Sequence, residues 1–473
     1  MGTTLIKNGT VVTATETMKA DVLLDGPMTV AIVATANVDL GLEADRTIDA
    51  SGKLVLPGGI DVHTHMELPF GGTFAADTFE TGSRAAAWGG TTTIVDFAVQ
   101  TKGESAMDGF EKWMAKAQGE CAIDYGFHMI TGDVNEQTLK EMDMLVDEGV
   151  TSFKMFMAYP GVFYSDDGEI VMAMQKAAEN GSMIAMHAEN GIAIDVFVNQ
   201  ALQRGETDPI HHGIVRKSVL EGEATHRAIR LAEVTGAPVY FVHLSALEAL
   251  EQVTLARDEG RNVFAETCPQ YLLLDLEDLG NGFEGAKYVC SPPLRDRAAG
   301  HQERLWRGLK TDDLQVVSTD HCPFCMGDHH TFGVQKQLGR DNFAAIPNGI
   351  PGVENRMELI FDAGVSAGRI GVNRFVEITA TAPAKMFGLF PKKGTIAPGS
   401  DADIVIVDPD RSHTISVDTH HMDVDYSAYE GREITGKVET VISKGQVIVA
   451  DDTYHGSKGD GEYLRRGTSM LLR

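Results

Sequence analysis

Between two β-rich ends, residues 58–387 alternate short apolar runs with stretches of helical spacing, and this alternation restricts the fold more than any other feature of the chain. The runs are GGIDVHTH, TTTIVDFA, IDYGFHMIT, VTSFKMFMAY, SMIAMHAEN, PVYFVHLS, NVFAETCPQY and LQVVSTDHC, eight in all. The stretches between them, such as LKEMDMLVDEG, EIVMAMQKAAENG and EATHRAIRLAEVTG, place apolar residues at helical spacing and end in the glycine that a helix C-cap favours. A strand, a helix and a parallel strand make one βα unit. Eight such units close into an α/β fold of the (β/α)8 TIM barrel type, whose working groups lie at the C-terminal strand ends.

Residues 1–57 have another texture. Their runs LIKNGTVVTA, ADVLLDG and MTVAIVA are separated by Gly, Pro and Asp and carry no helical period. The same texture returns over 388–450 in DADIVIVDPD and GKVETVISKGQVIVA. The expectation is a second, smaller, discontinuous β-sandwich domain built from both termini. Residues 451–473, containing HGSKGDGEYLRRG, read as a tail that contacts another copy of the chain or simply frays.

With 68 acidic against 40 basic residues, the net charge of -28 disfavours nucleic acid and anionic membrane, which need a basic footprint. No apolar run approaches the roughly 20 residues of a membrane span, and MGTTLIKNGT lacks the order of a secretory signal, so a cytoplasmic protein is expected. The cysteines 121, 268, 290, 322 and 325 are too scattered for a disulfide framework and are expected to be free thiols.

The first run ends in Asp61-Val62-His63-Thr64-His65, and the two-residue period of a strand points both imidazoles to one side, here the barrel mouth. Such a pair alone is as often structural as functional. Weight comes from His187, His243 and Asp320, at the ends of the fifth, sixth and eighth runs. Four imidazoles and a carboxylate then converge, a donor set that suits zinc and similar ions. Two such ions share ligands at about 3.5–4 Å separation. Lys154 ends the fourth run among these groups. An ammonium there is desolvated and repelled by divalent cations, so it either pairs with a nearby acid or loses its proton. A neutral amine reacts with carbon dioxide to give a carbamate, which supplies two oxygens and a negative charge.

Almost the whole chain resembles the dihydropyrimidinase/D-hydantoinase family of cyclic amidohydrolases, through PGGIDVHTHMELPFGGT at 57–73, TSFKMFMAY at 151–159, MHAENG at 186–191, EGEATHRAI at 221–229, VHLS at 242–245, SPPLR at 291–295, STDHCPF at 318–324 and IPNG at 346–349. The resemblance implies His63 and His65 on the more buried of two divalent metals, His187 and His243 on the other, Lys154 carboxylated between them, and Asp320 beside the first. It places Tyr159 over the substrate carbonyl and binds the ring imide through backbone groups at Ser291 and Asn348. Zinc is expected on ligand type, with manganese, cobalt or nickel as other occupants of such a set. The implied reaction opens dihydropyrimidines or 5-substituted hydantoins to N-carbamoyl amino acids. Tyr159 stabilises the oxyanion, Asp320 carries the proton, and no redox cofactor takes part. Members of the family are commonly homotetramers.

Two alternatives share the fold. Allantoinases and dihydroorotases generally follow HxH with a polar or arginine-containing stretch, whereas Met66-Glu67-Leu68-Pro69-Phe70 follows here and favours an uncharged ring. The collapsin-response mediators are non-catalytic scaffolds that have lost metal ligands, all of which are present in this chain. Leu68, Pro69, Phe70, Phe156 and Phe163 are the expected apolar surroundings of the substrate's exocyclic group. One departure from the family is the segment between Asp320 and Asn348, longer than expected by about half a dozen residues around Cys325–Thr331. There Cys322, Cys325, His329 and His330 could hold a further metal, although an ordinary loop is the simpler expectation.

Overall fold

The computed structural model describes residues 2–34, 41 and 43–472. Eight strands run parallel, each hydrogen-bonded to the next in chain order: β1 (Gly59–Thr64), β2 (Thr91–Val99), β3 (Asp124–Ile130), β4 (Ser152–Phe156), β5 (Met183–His187), β6 (Val239–Phe241), β7 (Val263–Thr267) and β8 (Val316–Val317). A bridge between Thr64 and His321, with the His65 N–H donating to the His321 carbonyl at 2.9 Å, closes the ring. Every residue of β1 to β5 is buried, which is why these strands appear in the sequence as unbroken apolar runs.

The outer helices start and stop where local chemistry dictates. Asp167–Asn180 opens on a capping box between Asp166 and Glu169 and ends at Gly181, whose φ of 74° an L side chain adopts only with strain. Two ladders stop earlier than the apolar runs suggest, because β6 ends at Phe241 and β8 at Val317. His243 (φ 43°) and Asp320 (φ 52°) lie just beyond, in left-handed backbone that cannot continue a strand.

A separate ten-stranded sheet interleaves the two chain ends, with Leu54–Pro57 seated between Thr10–Val12 and Ile404–Thr414. Its inward side chains, among them Ile6, Val22, Val55, Ile404 and Ile442, form one buried cluster. Residues after Tyr454 turn back onto the N-terminal face of the barrel. The Leu464 N–H donates to the Tyr125 carbonyl at 2.7 Å, and the Arg466 guanidinium enters the barrel base, reaching the Phe127 carbonyl and, at 3.0 Å, the Ser152 hydroxyl. The tail, read from the sequence as a contact between copies or a frayed end, packs over residues 463–467 against strands β3 and β4 of its own barrel. No helix among the described residues is long and apolar enough to cross a membrane.

Sheet and barrel are joined through Lys393, which is 2% exposed and donates to Asp124 at the start of β3 and to Asp403 beside the sheet, each at 2.6 Å. Replacing Lys393 with Met removes the cation that Asp124 and Asp403 share, leaving Lys444 as the remaining cation at Asp124. The expected loss of about 3–5 kcal/mol, the range for breaking a buried ion pair, is measurable by urea denaturation; wild-type stability would show that the junction does not depend on this charge.

Candidate metal centre and substrate cavity

At the end of β1, His63 Nε2 and His65 Nε2 lie 3.2 Å apart, and Asp320 Oδ1 stands 3.1 Å from the first and 3.2 Å from the second. Across the mouth, His187 Nδ1 faces His243 Nε2 at 2.9 Å. Lys154 rises from β4 into the same space, with its Nζ 4.6 Å from the Phe97 ring centre and 5.0 Å from that of Phe156. Among the described residues no carboxylate forms an ion pair with it. Burial pushes the Lys154 amine down to about 8, which leaves an unprotonated fraction near neutral pH.

Whether these groups suit cations is decided by which ring nitrogens carry protons. His63 Nδ1 is held by the Glu266 carboxylate, so that nitrogen bears the proton and His63 Nε2 presents a bare lone pair toward His65 and Asp320. His187 Nε2 donates to Glu189 at 2.8 Å, which frees His187 Nδ1 toward His243. Burial lowers His65 to about 4 and holds His187 and His243 below the usual imidazole range, so all three are neutral at pH 7 and able to act as ligands. At His63, Glu266 and Asp320 outweigh the opposing effects of burial and Lys154 and raise it. Two lone-pair clusters, a buried carboxylate and an unpaired amine fit divalent cations. Tyr159 (φ 61°), His243 and Asp320 all occupy left-handed backbone, strain that gathers where side chains must be aimed.

Several supporting groups escaped the sequence reading. Glu266 also accepts from the Tyr240 hydroxyl at 2.8 Å and the His243 N–H at 3.1 Å, joining β7 to the His63 and His243 corners. Glu189 is balanced by Arg216 at 3.0 Å; despite burial, the nearby guanidinium and His187 bring it down to about 2. Asp61 accepts from the Thr319 hydroxyl at 2.6 Å and the Thr319 N–H at 3.1 Å, holding β1 against the segment that delivers Asp320. Asp96 accepts from the Thr64 hydroxyl and the Met66 N–H, both at 2.8 Å, and so fixes the turn after His65. The available signal was a charged residue inside an apolar strand, as in FAET and IVDFA.

A cavity opens above these groups. His65, Lys154, His187, His243 and Asp320 line it, together with the polar group Tyr159, Ser291 and Asn348 and the apolar group Leu68, Phe70, Phe156 and Phe163. His63 lies beneath, wholly buried, and Pro69 points to solvent. Asn348 Nδ2 donates to the Ser291 hydroxyl at 3.0 Å and to the Tyr159 oxygen at 3.3 Å, leaving the Tyr159 proton free. Burial pushes the Tyr159 phenol up to about 12, so it remains a donor at neutral pH. The rings of Phe70 and Phe163 are parallel within 4° at 6.3 Å.

The segment around Cys325–Thr331 does not gather the four groups that its composition suggested. Cys322 lines the cavity instead, and Cys325 Sγ contacts the Asp423 carbonyl at 3.9 Å. His329, His330 and Asp423 do approach one another. However, His329 Nδ1 accepts the N–H groups of Thr331 and Phe332, both at 3.1 Å, so its proton sits on Nε2, which faces Asp423 at 3.4 Å as a hydrogen-bond donor. This is a loop clasp.

A parallel barrel whose mouth gathers four imidazoles, a carboxylate and a buried lysine defines a metal-dependent hydrolase. Residues 54–448 match the amidohydrolase family. The chain is 64% identical over 471 residues to the D-hydantoinase of Streptomyces coelicolor, covering 99% of both, and 48% identical to that of Geobacillus stearothermophilus, covering 98% of this chain and 96% of the other. The solved dihydropyrimidinase of Brevibacillus agri superposes with a TM-score of 0.95 at 49% identity, covering 99% of each chain. This chain belongs to the amidohydrolase family, on its dihydropyrimidinase and D-hydantoinase branch.

Replacing Glu266 with Gln removes the charge behind His63 while keeping an acceptor in place. Metal retention against a graded chelator is expected to weaken by about 10- to 100-fold, the usual cost of losing such a support, whereas unchanged retention would leave Glu266 a packing residue only.

Proposed function

We propose that this enzyme hydrolyses the cyclic amide bond of uncharged imide rings, dihydropyrimidines such as dihydrouracil and dihydrothymine or 5-substituted hydantoins, to N-carbamoyl amino acids. The observation that carries this reading is that one cavity is lined by imidazoles, a carboxylate and a lysine, by the hydrogen-bonded polar group Tyr159, Ser291 and Asn348, and by the rings of Phe70, Phe156 and Phe163. Among the described residues no arginine lines it, which argues against an anionic ring such as dihydroorotate.

His63 and His65 would hold one divalent ion and His187 and His243 a second, with Asp320 beside the first and Lys154 between them as an N6-carboxylysine. Such ions, most simply zinc, lower the pKa of bound water from 15.7 to about 7 and polarise a carbonyl. The residues of the chain do the rest. Backbone groups at Ser291 and Asn348 hold the imide so that its carbonyl points at the floor. The Tyr159 hydroxyl donates to the carbonyl oxygen as negative charge grows there. The oxygen of water bonds to the ring carbonyl carbon, and the bond from that carbon to the imide nitrogen breaks. Asp320 takes a proton from the attacking water and passes it to the leaving nitrogen, and the carboxylic acid so formed releases its remaining proton to solvent, giving a carboxylate and an N-carbamoyl amine. Leu68 and the phenyl rings surround the exocyclic substituent. An assembly of four copies, or of two, is the expected form, and sedimentation of the full chain measures it.

Comparing turnover of dihydrouracil, hydantoin, allantoin and dihydroorotate tests the substrate class. Ring opening of the first two is expected to dominate, and a preference for either of the others would overturn the reading. Tyr159→Phe is expected to lower kcat by about 10²–10³, the scale for losing one oxyanion donor. An undiminished rate constant would take Tyr159 out of the reaction.

Lys154→Ala is expected to lose bound metal and turnover together and to recover part of both with added short carboxylic acid. Two retained ions with full activity would overturn the carbamate.

A further inference from the structure

Lys336 is a wholly buried cation outside the metal centre, and among the described residues no carboxylate pairs with it. Its ammonium donates to the carbonyl oxygens of Pro347 and Gly349, each at 2.8 Å, and to that of Val289 at 3.2 Å. All of its N–H groups are thereby used. The acceptors are not scattered. Pro347 and Gly349 flank Asn348, and Val289 stands two residues before Ser291, so the ammonium sits behind both polar segments of the cavity wall.

Other contacts brace the same junction. The Gly349 N–H donates to the Val289 carbonyl at 2.9 Å, and Asn348 Nδ2 reaches the Ser291 hydroxyl. Gly349 holds a φ of 146°, and a Cβ there would lie 2.2 Å from the Cys322 carbonyl, so the turn cannot be relaxed by substitution at that position. Three carbonyl dipoles aimed at one buried point repel one another unless a donor of matching valence stands between them. A neutral amide offers two hydrogens and a thioether none, whereas an ammonium offers three. Burial works against the charge and brings Lys336 down to about 7, while hydrogen bonds to three carbonyl oxygens favour the protonated form.

We propose that Lys336 is a positioning residue for ring binding, its ammonium fixing the spacing between the 289–291 segment and the 347–349 turn. The inference rests on the reading of Ser291 and Asn348 as the groups that hold the imide. Lys336 touches no metal ligand and no reacting atom, so it governs how well the ring is held and not how fast a well-held ring opens. Its loss removes binding shared by the bound substrate and the transition state, which raises KM and leaves kcat nearly unchanged.

The test uses Lys336→Met and the milder Lys336→Gln in the full-length, metal-loaded enzyme, with kcat, KM, metal content and unfolding midpoint measured on a cyclic imide that the wild type opens. Both variants are expected to keep wild-type metal content and a kcat within about threefold. KM is expected to rise by up to about 100-fold, the scale on which misplacement of substrate-holding groups is felt, and by more for Met than for Gln. Unchanged KM in folded variants overturns the proposal. So does a fall in kcat that tracks lost metal, or failure of both variants to fold, since either outcome makes Lys336 a brace of the fold alone. A wild type that opens no cyclic imide would instead overturn the proposed function.

Discussion

Glu266 is wholly buried at the end of β7, where the His63 ring, the Tyr240 hydroxyl and the His243 backbone converge on it. Removing a carboxylate from water costs several kcal/mol, and the cost is tolerable only when fixed donors replace the lost hydration. Those donors come from β1 and β6, on either side of the mouth. The carboxylate therefore orients a histidine of one cluster and the backbone of a histidine of the other. Glu189 repeats the device on His187, with Arg216 supplying the opposite charge. In each case the proton on the far nitrogen decides that the near nitrogen faces the cavity as a lone pair.

This dependence explains which parts of the site the sequence could disclose. Parallel strands covered on both faces must be apolar throughout, so the runs were readable, and a histidine at the end of such a run has few places to point. His187 and Lys154 were legible for that reason. His243 and Asp320 were legible as residues but not as geometry, because the ladders end at Phe241 and Val317 and the chain turns through left-handed backbone before presenting either side chain. Glu189, Glu266, Asp61 and Asp96 were passed over although each interrupts or ends an apolar run. A charge at such a position calls for a partner, and the partners lie on other strands.

Contacts across long separations left no local trace. Arg466 reaches the base of the barrel from a segment of ordinary loop composition, and nothing in HGSKGDGEYLRRG distinguishes a guanidinium destined for burial from one that stays in solvent. The longer loop after Asp320 shows the opposite failure. Cys325, His329 and His330 are residue types that bind metals, but the backbone N–H groups of Thr331 and Phe332 occupy the nitrogen of His329 that would have left Nε2 free. Composition suggested a ligand set, and a turn of three residues removed it.

The two halves of the cavity are built by different means, and that difference bears on what can change. The floor draws its groups from β1, β4 and β5 and the corners after β6 and β8, with buried carboxylates holding His63, His187, the His243 backbone and the segment that delivers Asp320. The walls draw theirs from loops: Phe70 from the turn after β1, Phe163 from the segment after β4, Ser291 and Asn348 from connections flanking β8. Phe70 and Phe163 contribute only stacking and area, so a change there leaves the charge balance of the floor intact, whereas Phe156 also faces Lys154 and His187. The polar wall is the exception. Its two segments are tied by the Gly349 N–H to the Val289 carbonyl, by Asn348 to the Ser291 hydroxyl and by the buried Lys336 amine behind them, whereas the aromatic side chains carry no such polar ties.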